Sequence, residues 1–224
     1  MTEPMSGRDT NRAAPSGRAS LDLKTHWEQV YSSKAGDAMS WYQAHPTLSL
    51  ELIDAQACAP DCAIIDIGGG DSTLVDFLVE RHRGRTTVVD LSGTALARAR
   101  ARLGKRAEEV AWIEADVTRL ELPTASFDVW HDRAVFHFLM DPADRERYVA
   151  IASNAVRANG TAIVATFAAD GPTRCSGLEV MRYSPDALAE QFASAFTLRN
   201  GLTDIHRTPW GSEQRFSYVV LQRQ

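Results

Sequence analysis

Apolar residues recur along the chain in two alternating rhythms. "LDLKTHWEQVYSSK" sets Leu23, Trp27 and Val30 or Tyr31 at helical spacing, and "PTLSLELIDAQA" repeats the pattern after Pro46. Two helices therefore precede the first strand. From Cys62 onward, short apolar runs alternate with helical segments. "CAIIDI", "TTVVDL", "VAWIEADV", "FDVWHDRA" and "GTAIVATFA" read as strands; "STLVDFLVERH", "GTALARARARL", "PADRERYVAIASNAV" and "SPDALAEQFAS" read as helices. Such alternation demands right-handed crossovers and a parallel sheet covered on both faces. The last two strands, "FTLRNGLTDIHRT" and "QRFSYVVLQR", are joined only by the turn-rich "PWGSE", so they should pair antiparallel. The pattern predicts an open α/β sheet of seven mostly parallel strands, helices on both faces, closed by a C-terminal antiparallel hairpin.

Composition narrows the partners. The chain has 224 residues, 44% hydrophobic, enough for one good core and short for two. The opening "MTEPMSGRDTNRAAPSGRAS" has almost no large apolar residue, so residues 1–20 read as a disordered tail. Residues 21–224 read as a single domain, a helical cap over 21–60 on a core over 61–224. With 24 basic against 29 acidic residues, net −5, there is no broad field for a phosphate backbone, and nucleic acid is disfavoured. No run is long enough to span a bilayer, and the first residues lack the apolar core of a secretory signal, so a soluble cytoplasmic protein, monomer or homodimer, is expected. Cys58, Cys62 and Cys175 are too few for a disulfide framework, and an odd count suits a reducing compartment. They read as small buried thiols, and no metal site is expected.

Three consecutive glycines, Gly68 to Gly70, stand between the first strand and the helix after it, where backbone N–H groups approach a ligand. In an open sheet, ligands sit beyond the carboxyl ends of the strands. Four segments deliver polar residues there: Asp66 to Ser72, Asp90, Asp116, and His131 to Arg133. Asp90 follows Asp66 by 24 residues, near the interval at which a carboxylate grips a ribose diol. A nucleoside is the expected guest. A nicotinamide dinucleotide wants a third glycine where Thr73 stands, and Asp66 would repel its pyrophosphate yet answer the ammonium of a methionine moiety. An NAD(P)-dependent reductase is thus the weaker reading against S-adenosylmethionine.

On these residues the sequence resembles the class I S-adenosylmethionine-dependent methyltransferases, over nearly everything after residue 20. "IDIGGGDS" resembles the family's glycine motif, "VVDLS" its ribose-binding strand end, "EADV" its adenine-side motif and "FDVWHDRAVFHFL" its fourth-strand segment. The resemblance implies a Rossmann-like fold and S-adenosyl-L-methionine as cofactor. It implies that Asp66, Gly68 and Gly70, with Gly69 and Ser72, cradle the methionine part. Asp90, with Leu91 and Ser92, would hold the ribose, Asp116 and Val117 the adenine, and His131 or Asp132 would border the methyl. Gly69 departs from the family, which usually has a larger residue there. The aromatic opening "HWEQVYSSKAGDAMSWYQAHP" resembles the cap of small-molecule and protein-lysine methyltransferases, so Trp27, Tyr31, Trp41 and Tyr42 are expected over the methionine end; Trp27 also fits as a plain packing anchor.

Methyl transfer needs alignment and exclusion of water, and a base only when the acceptor arrives protonated. His131, Asp132, His137 and His206 are the catalytic candidates, and Tyr42, Asp170, Arg174, Cys175 and Trp210 the substrate-side ones, since their segments end on the same sheet edge. The expected acceptor is a nitrogen, oxygen or sulfur nucleophile of a small molecule. A protein lysine, drawn by Asp132, is the runner-up.

Overall fold

The computed structural model describes residues 17–56, 61–81 and 85–224. Most of the expected tail and Cys58 lie outside the described residues. The first helix, α1 (Gly17–Ser33), begins four residues inside the segment assigned to the tail. It is followed by α2 (Thr47–Asp54), β1 (Ile64–Ile67), α3 (Leu74–Arg81), β2 (Thr86–Asp90), α4 (Gly93–Leu103), β3 (Val110–Glu114), β4 (Phe127–Arg133), α5 (Pro142–Ala155) and β5 (Val156–Phe167). A short hairpin, β6 (Arg174–Cys175) and β7 (Leu178–Glu179), precedes α6 (Pro185–Phe192), β8 (Phe196–Arg207) and β9 (Glu213–Arg223).

The main sheet has seven strands in the order β3-β2-β1-β4-β5-β9-β8. All neighbours from β3 to β5 pair parallel, and β9 runs antiparallel to both β5 and β8. Every residue of β1 and β2 is buried, as both faces carry helices. On one face Ile65, Trp130 and Val164 pack with Tyr148 of α5 and Phe192 of α6. On the other, Ile64, Val129 and Ile163 pack with Leu50 and Ile53 of α2 and Leu74 and Leu78 of α3. Strand order reverses between β1 and β4, which opens a crevice beyond their carboxyl ends.

The small hairpin was not legible as strands, because two-residue strands carry no alternation. Its turn is Ser176-Gly177, both at positive φ (49° and 82°), the geometry of a tight two-residue hairpin. Cys62 is disulfide-bonded, and Cys175 is free and buried. The expectation of a plain thiol at Cys62 is thereby corrected, and the inference from cysteine count to a reducing compartment loses its footing.

Candidate functional site

The glycine turn leaves no room for side chains. Gly68 and Gly70 adopt φ of +66° and +39°, which strains any other residue. A Cβ on Gly68 would strike Val135, and one on Gly69 would lie 2.5 Å from Asp66 Oδ2 and 2.7 Å from Val88 Cγ1. One on Gly70 would lie 2.7 Å from Asp90 Oδ2 and 2.9 Å from the Tyr31 hydroxyl. The unusual Gly69 therefore makes room for the Asp66 carboxylate beside it. The N–H groups of Gly68 and Gly69 donate to Val89 O, which ties the turn to β2.

Asp66 and His131 are register partners on β1 and β4, directly at the crevice. His131 Nδ1 and Asp66 Oδ1 are 2.7 Å apart, and His131 Nε2 is 2.9 Å from the Ser49 hydroxyl of α2. All three side chains are buried. Both ring nitrogens are thus committed to positioning Asp66, which keeps its second oxygen beside Gly69. Asp90 accepts from Ser92 N–H through Oδ1, and burial raises its pKa to about 7, with the Asp66 and Glu28 charges adding to the effect. Asp116 accepts from Thr118 N–H and its hydroxyl, which fixes the short turn at Val117.

Two cavities meet over Gly68. The polar one is lined by Asp66, Gly69, Asp71, Ser72, Thr73, His131 and the cap residues Met39, Tyr42 and Gln43. The more apolar one is lined by Asp90, Leu91, Asp116, Val117, Val135, Phe138 and Leu139, with Leu23 and Trp27 from α1 and Cys175 from the small hairpin. Tyr31, Trp41, Ile67, Gly68 and Arg133 line both and so mark the junction. An aromatic roof stands over it: Trp27 contacts Trp41 and Phe138 edge-on, with centroids 5.8 and 5.2 Å apart, and Tyr31 contacts Trp41 at 6.1 Å. The carboxylate of Glu28 on α1 accepts from Gly93 and Thr94 N–H at the start of α4, and Lys24 donates to Leu91 O. These bonds dock α1 across the mouth of the crevice.

The cap loop is pinned by its own carbonyls. His206 Nε2–H donates to Ser40 O (2.7 Å), Arg133 to Trp41 O (3.2 Å) and the Thr73 hydroxyl to Gln43 O (2.7 Å). Burial and the nearby Arg133 charge lower the His206 pKa.

Several expected residues lie elsewhere. Asp132 follows His131 on a strand, so its side chain faces the opposite side of the sheet. There it accepts from Val135 N–H, Phe136 N–H and the Tyr148 hydroxyl, with burial raising its pKa to about 6. It braces the β4 end and does not line the junction of the two cavities. His137 is fully buried against Phe138 and Phe167, outside both cavities, and burial pulls its pKa down to about 3. His206 lies in a separate polar groove with His45 and Asp204 and lines neither cavity, whereas Tyr42 borders both that groove and the polar cavity. Trp210 is 61% exposed at the hairpin tip; Arg174 and Asp170 are exposed and paired with Glu179 and Arg215. Ser92 is buried as the cap of α4. Ser49, Phe138 and Arg133 are among the residues at the site that had been given no role. Strand alternation carried the signal for Arg133, since residues 131 and 133 share a face.

A glycine-cradled crevice at the switch point, with a carboxylate at the second strand end and an acidic turn at the third, defines a Rossmann-like nucleoside-binding domain. Residues 64–160 match the family model of a methyltransferase domain. That stretch, at the centre of the sheet, is similar to class I S-adenosylmethionine-dependent methyltransferases. An uncharacterized methyltransferase of Mycobacterium tuberculosis is 32% identical over 90 residues, 40% of this chain and 44% of that protein. The mouse eEF1A lysine and N-terminal methyltransferase is 26% identical over 110 residues, 48% of this chain and 15% of that protein. The chain thus spans less than half the length of these relatives. Among solved structures, the Burkholderia thailandensis 1,6-didemethyltoxoflavin-N1-methyltransferase, with its namesake compound and S-adenosylhomocysteine bound, superposes with a TM-score of 0.67 at 21% identity. That match covers 97% of this chain and 93% of the other. At that identity it speaks for the fold.

The residues present fit the family's cofactor. A side-chain-free turn adjoins the polar cavity, which the Asp66 carboxylate lines, and two further carboxylates, Asp90 and Asp116, line the apolar cavity.

Proposed function

We propose that the protein transfers the methyl group of S-adenosylmethionine to a nitrogen, oxygen or sulfur nucleophile of a small molecule. The observation that carries this reading is the junction of two unlike cavities over Gly68, roofed by Trp27, Tyr31 and Trp41. The cofactor supplies a methyl group already activated by its sulfonium. The chain's own residues bind, align and keep out water. Asp66 and the Gly68–Gly70 turn hold the methionine end, with Asp66 aimed by His131 and Ser49. Asp90 accepts from the ribose hydroxyls, and Asp116 with Val117 bounds the adenine. The roof excludes water from the junction, and Tyr31, whose phenol is held neutral by burial and the Asp90 and Asp71 charges, presents a hydroxyl there.

The test is incubation with methyl-labelled cofactor and either a protein-free metabolite extract or a desalted proteome. Label in small products is expected. Label only in macromolecules would favour the second reading, a protein lysine acceptor, which rests on the lysine-methylating mouse relative. Titration with S-adenosylhomocysteine and with a nicotinamide dinucleotide separates the cofactors: binding of the dinucleotide alone would overturn both readings.

A further inference from the structure

Arg133 is the polar side chain at the junction that the proposed function leaves unexplained. It ends β4 and lines both cavities. The guanidinium is held on three sides. Nε–H donates to the Tyr218 hydroxyl (3.0 Å), Nη1 donates to Trp41 O (3.2 Å), and the group stacks on the Phe216 ring 4.3 Å from its centroid. Nη2 is buried and has no hydrogen-bond partner. Among the described residues Arg133 makes no ion pair. A buried donor on a cation, fixed in position and left unpaired, is costly unless a ligand completes it.

The placement of this cation is informative in itself. The proposed reading brings a sulfonium to the same junction, and two positive charges there repel. A negatively charged group between them removes the repulsion and satisfies Nη2. We propose, on the basis of that reading, that Arg133 is the docking cation for the methyl acceptor and that the acceptor is a small organic anion: a carboxylate, thiolate or phenolate. Electron bookkeeping agrees. The anionic heteroatom forms its bond to the methyl carbon, the carbon–sulfur bond breaks, and its electron pair goes to sulfur; anion and sulfonium both become neutral, and no proton has to be removed. This accounts for the histidines. Both ring nitrogens of His131 are taken, and His137 and His206 line neither cavity. The same cation repels an ammonium, which counts against a lysine acceptor, and the carboxylate once expected to draw one, Asp132, faces the other side of the sheet.

The rival role for Arg133 is to hold the carboxylate of the cofactor itself. Arg133→Gln and Arg133→Lys, each checked for folding by thermal melt, separate the two. Calorimetry of Arg133→Gln should change the affinities for S-adenosylhomocysteine and 5′-methylthioadenosine by the same factor, since loosening the Trp41 roof touches both ligands alike. A loss of tenfold or more that 5′-methylthioadenosine, which lacks the amino-acid end, does not share would assign Arg133 to the cofactor and overturn the proposal. In parallel, a metabolite extract is split on an anion-exchange resin and each fraction incubated with labelled cofactor. Label in the retained fraction is expected, with the KM of its purified acceptor raised at least tenfold in Arg133→Gln and partly restored in Arg133→Lys. Label only in the flow-through would overturn the anionic acceptor while leaving small-molecule methyl transfer intact. Label confined to protein, or absent from every fraction, would overturn that reading as well.

Discussion

Replacing Asp90 with asparagine should strengthen the fold and weaken cofactor binding, and both magnitudes follow from its surroundings. The carboxylate is 8% exposed, and burial is the largest cause of its pKa near 7. The unfolded value is 3.8. At about 1.4 kcal/mol per pH unit, holding it ionised in the apo protein costs at most on the order of 4 kcal/mol. Because the folded pKa lies above the unfolded one, the native state keeps a proton that the unfolded chain has released between about pH 4 and pH 7. Stability therefore falls as pH rises through that window, and the cost is complete above it. Asparagine retains an oxygen for the Ser92 N–H and carries no charge, so the variant should be more stable than the parent by about 1–3 kcal/mol at pH 8, with the difference vanishing near pH 4. Binding moves the other way. Hydrogen bonds to a charged acceptor are worth about 1.5–3 kcal/mol, so the variant should bind S-adenosylhomocysteine roughly tenfold to a hundredfold more weakly at pH 8. The parent's affinity should itself drop about tenfold per unit below pH 7 while the variant's stays flat. Calorimetry at pH 6, 7 and 8 with parallel thermal melts reads both. Equal affinity at pH 8, or an asparagine variant no more stable than the parent there, would refute the reasoning.

Gly69→Ala should cost about 1–3 kcal/mol of stability and at least tenfold in S-adenosylhomocysteine affinity, since its Cβ would press on Asp66 Oδ2 at 2.5 Å; parental affinity would show that the turn yields freely. His131→Ala should lower stability by about 2–3 kcal/mol in denaturant melts by leaving the Asp66 carboxylate buried without its partner, and glutamine there should recover part of the loss. His137, with a folded pKa near 3 against 6.5 unfolded, refuses a proton that the unfolded chain accepts, so stability should drop as pH falls from about 6.5 towards 3; His137→Phe should flatten that slope in acid melts. His206→Ala releases Ser40 O, and limited proteolysis between Lys34 and His45 should quicken; an unchanged cleavage rate would mean that the other two pins hold the cap alone.

Much of this protein was written in its local pattern. The apolar runs of β1 and β2, the caps at Ser92 and Ser184, and the prolines opening α5 and α6 specify elements that form where periodicity puts them, and their alternation leaves few topologies. The glycine turn and the carboxylates after the first three strands were legible for the same reason: each sits at a fixed place relative to a strand end, and strand ends gather at one edge. The roles of side chains beyond that edge were decided by packing. His131 looked like a base, yet Asp66 and Ser49, 65 and 82 residues away in sequence, close on its two nitrogens. Asp132 and Arg133 are chain neighbours sent to opposite faces by the pleat, one to cap the β4 end and the other to the cavity junction. His206 and Trp210 occupy the expected hairpin, but the cap loop packed against it takes His206 onto Ser40 O, and Trp210 is left in solvent. Local sequence sets where the chain is extended, helical or turned; which polar atoms end up paired, and which, like Arg133 Nη2, are left over, depends on segments that meet only when the whole sheet has assembled.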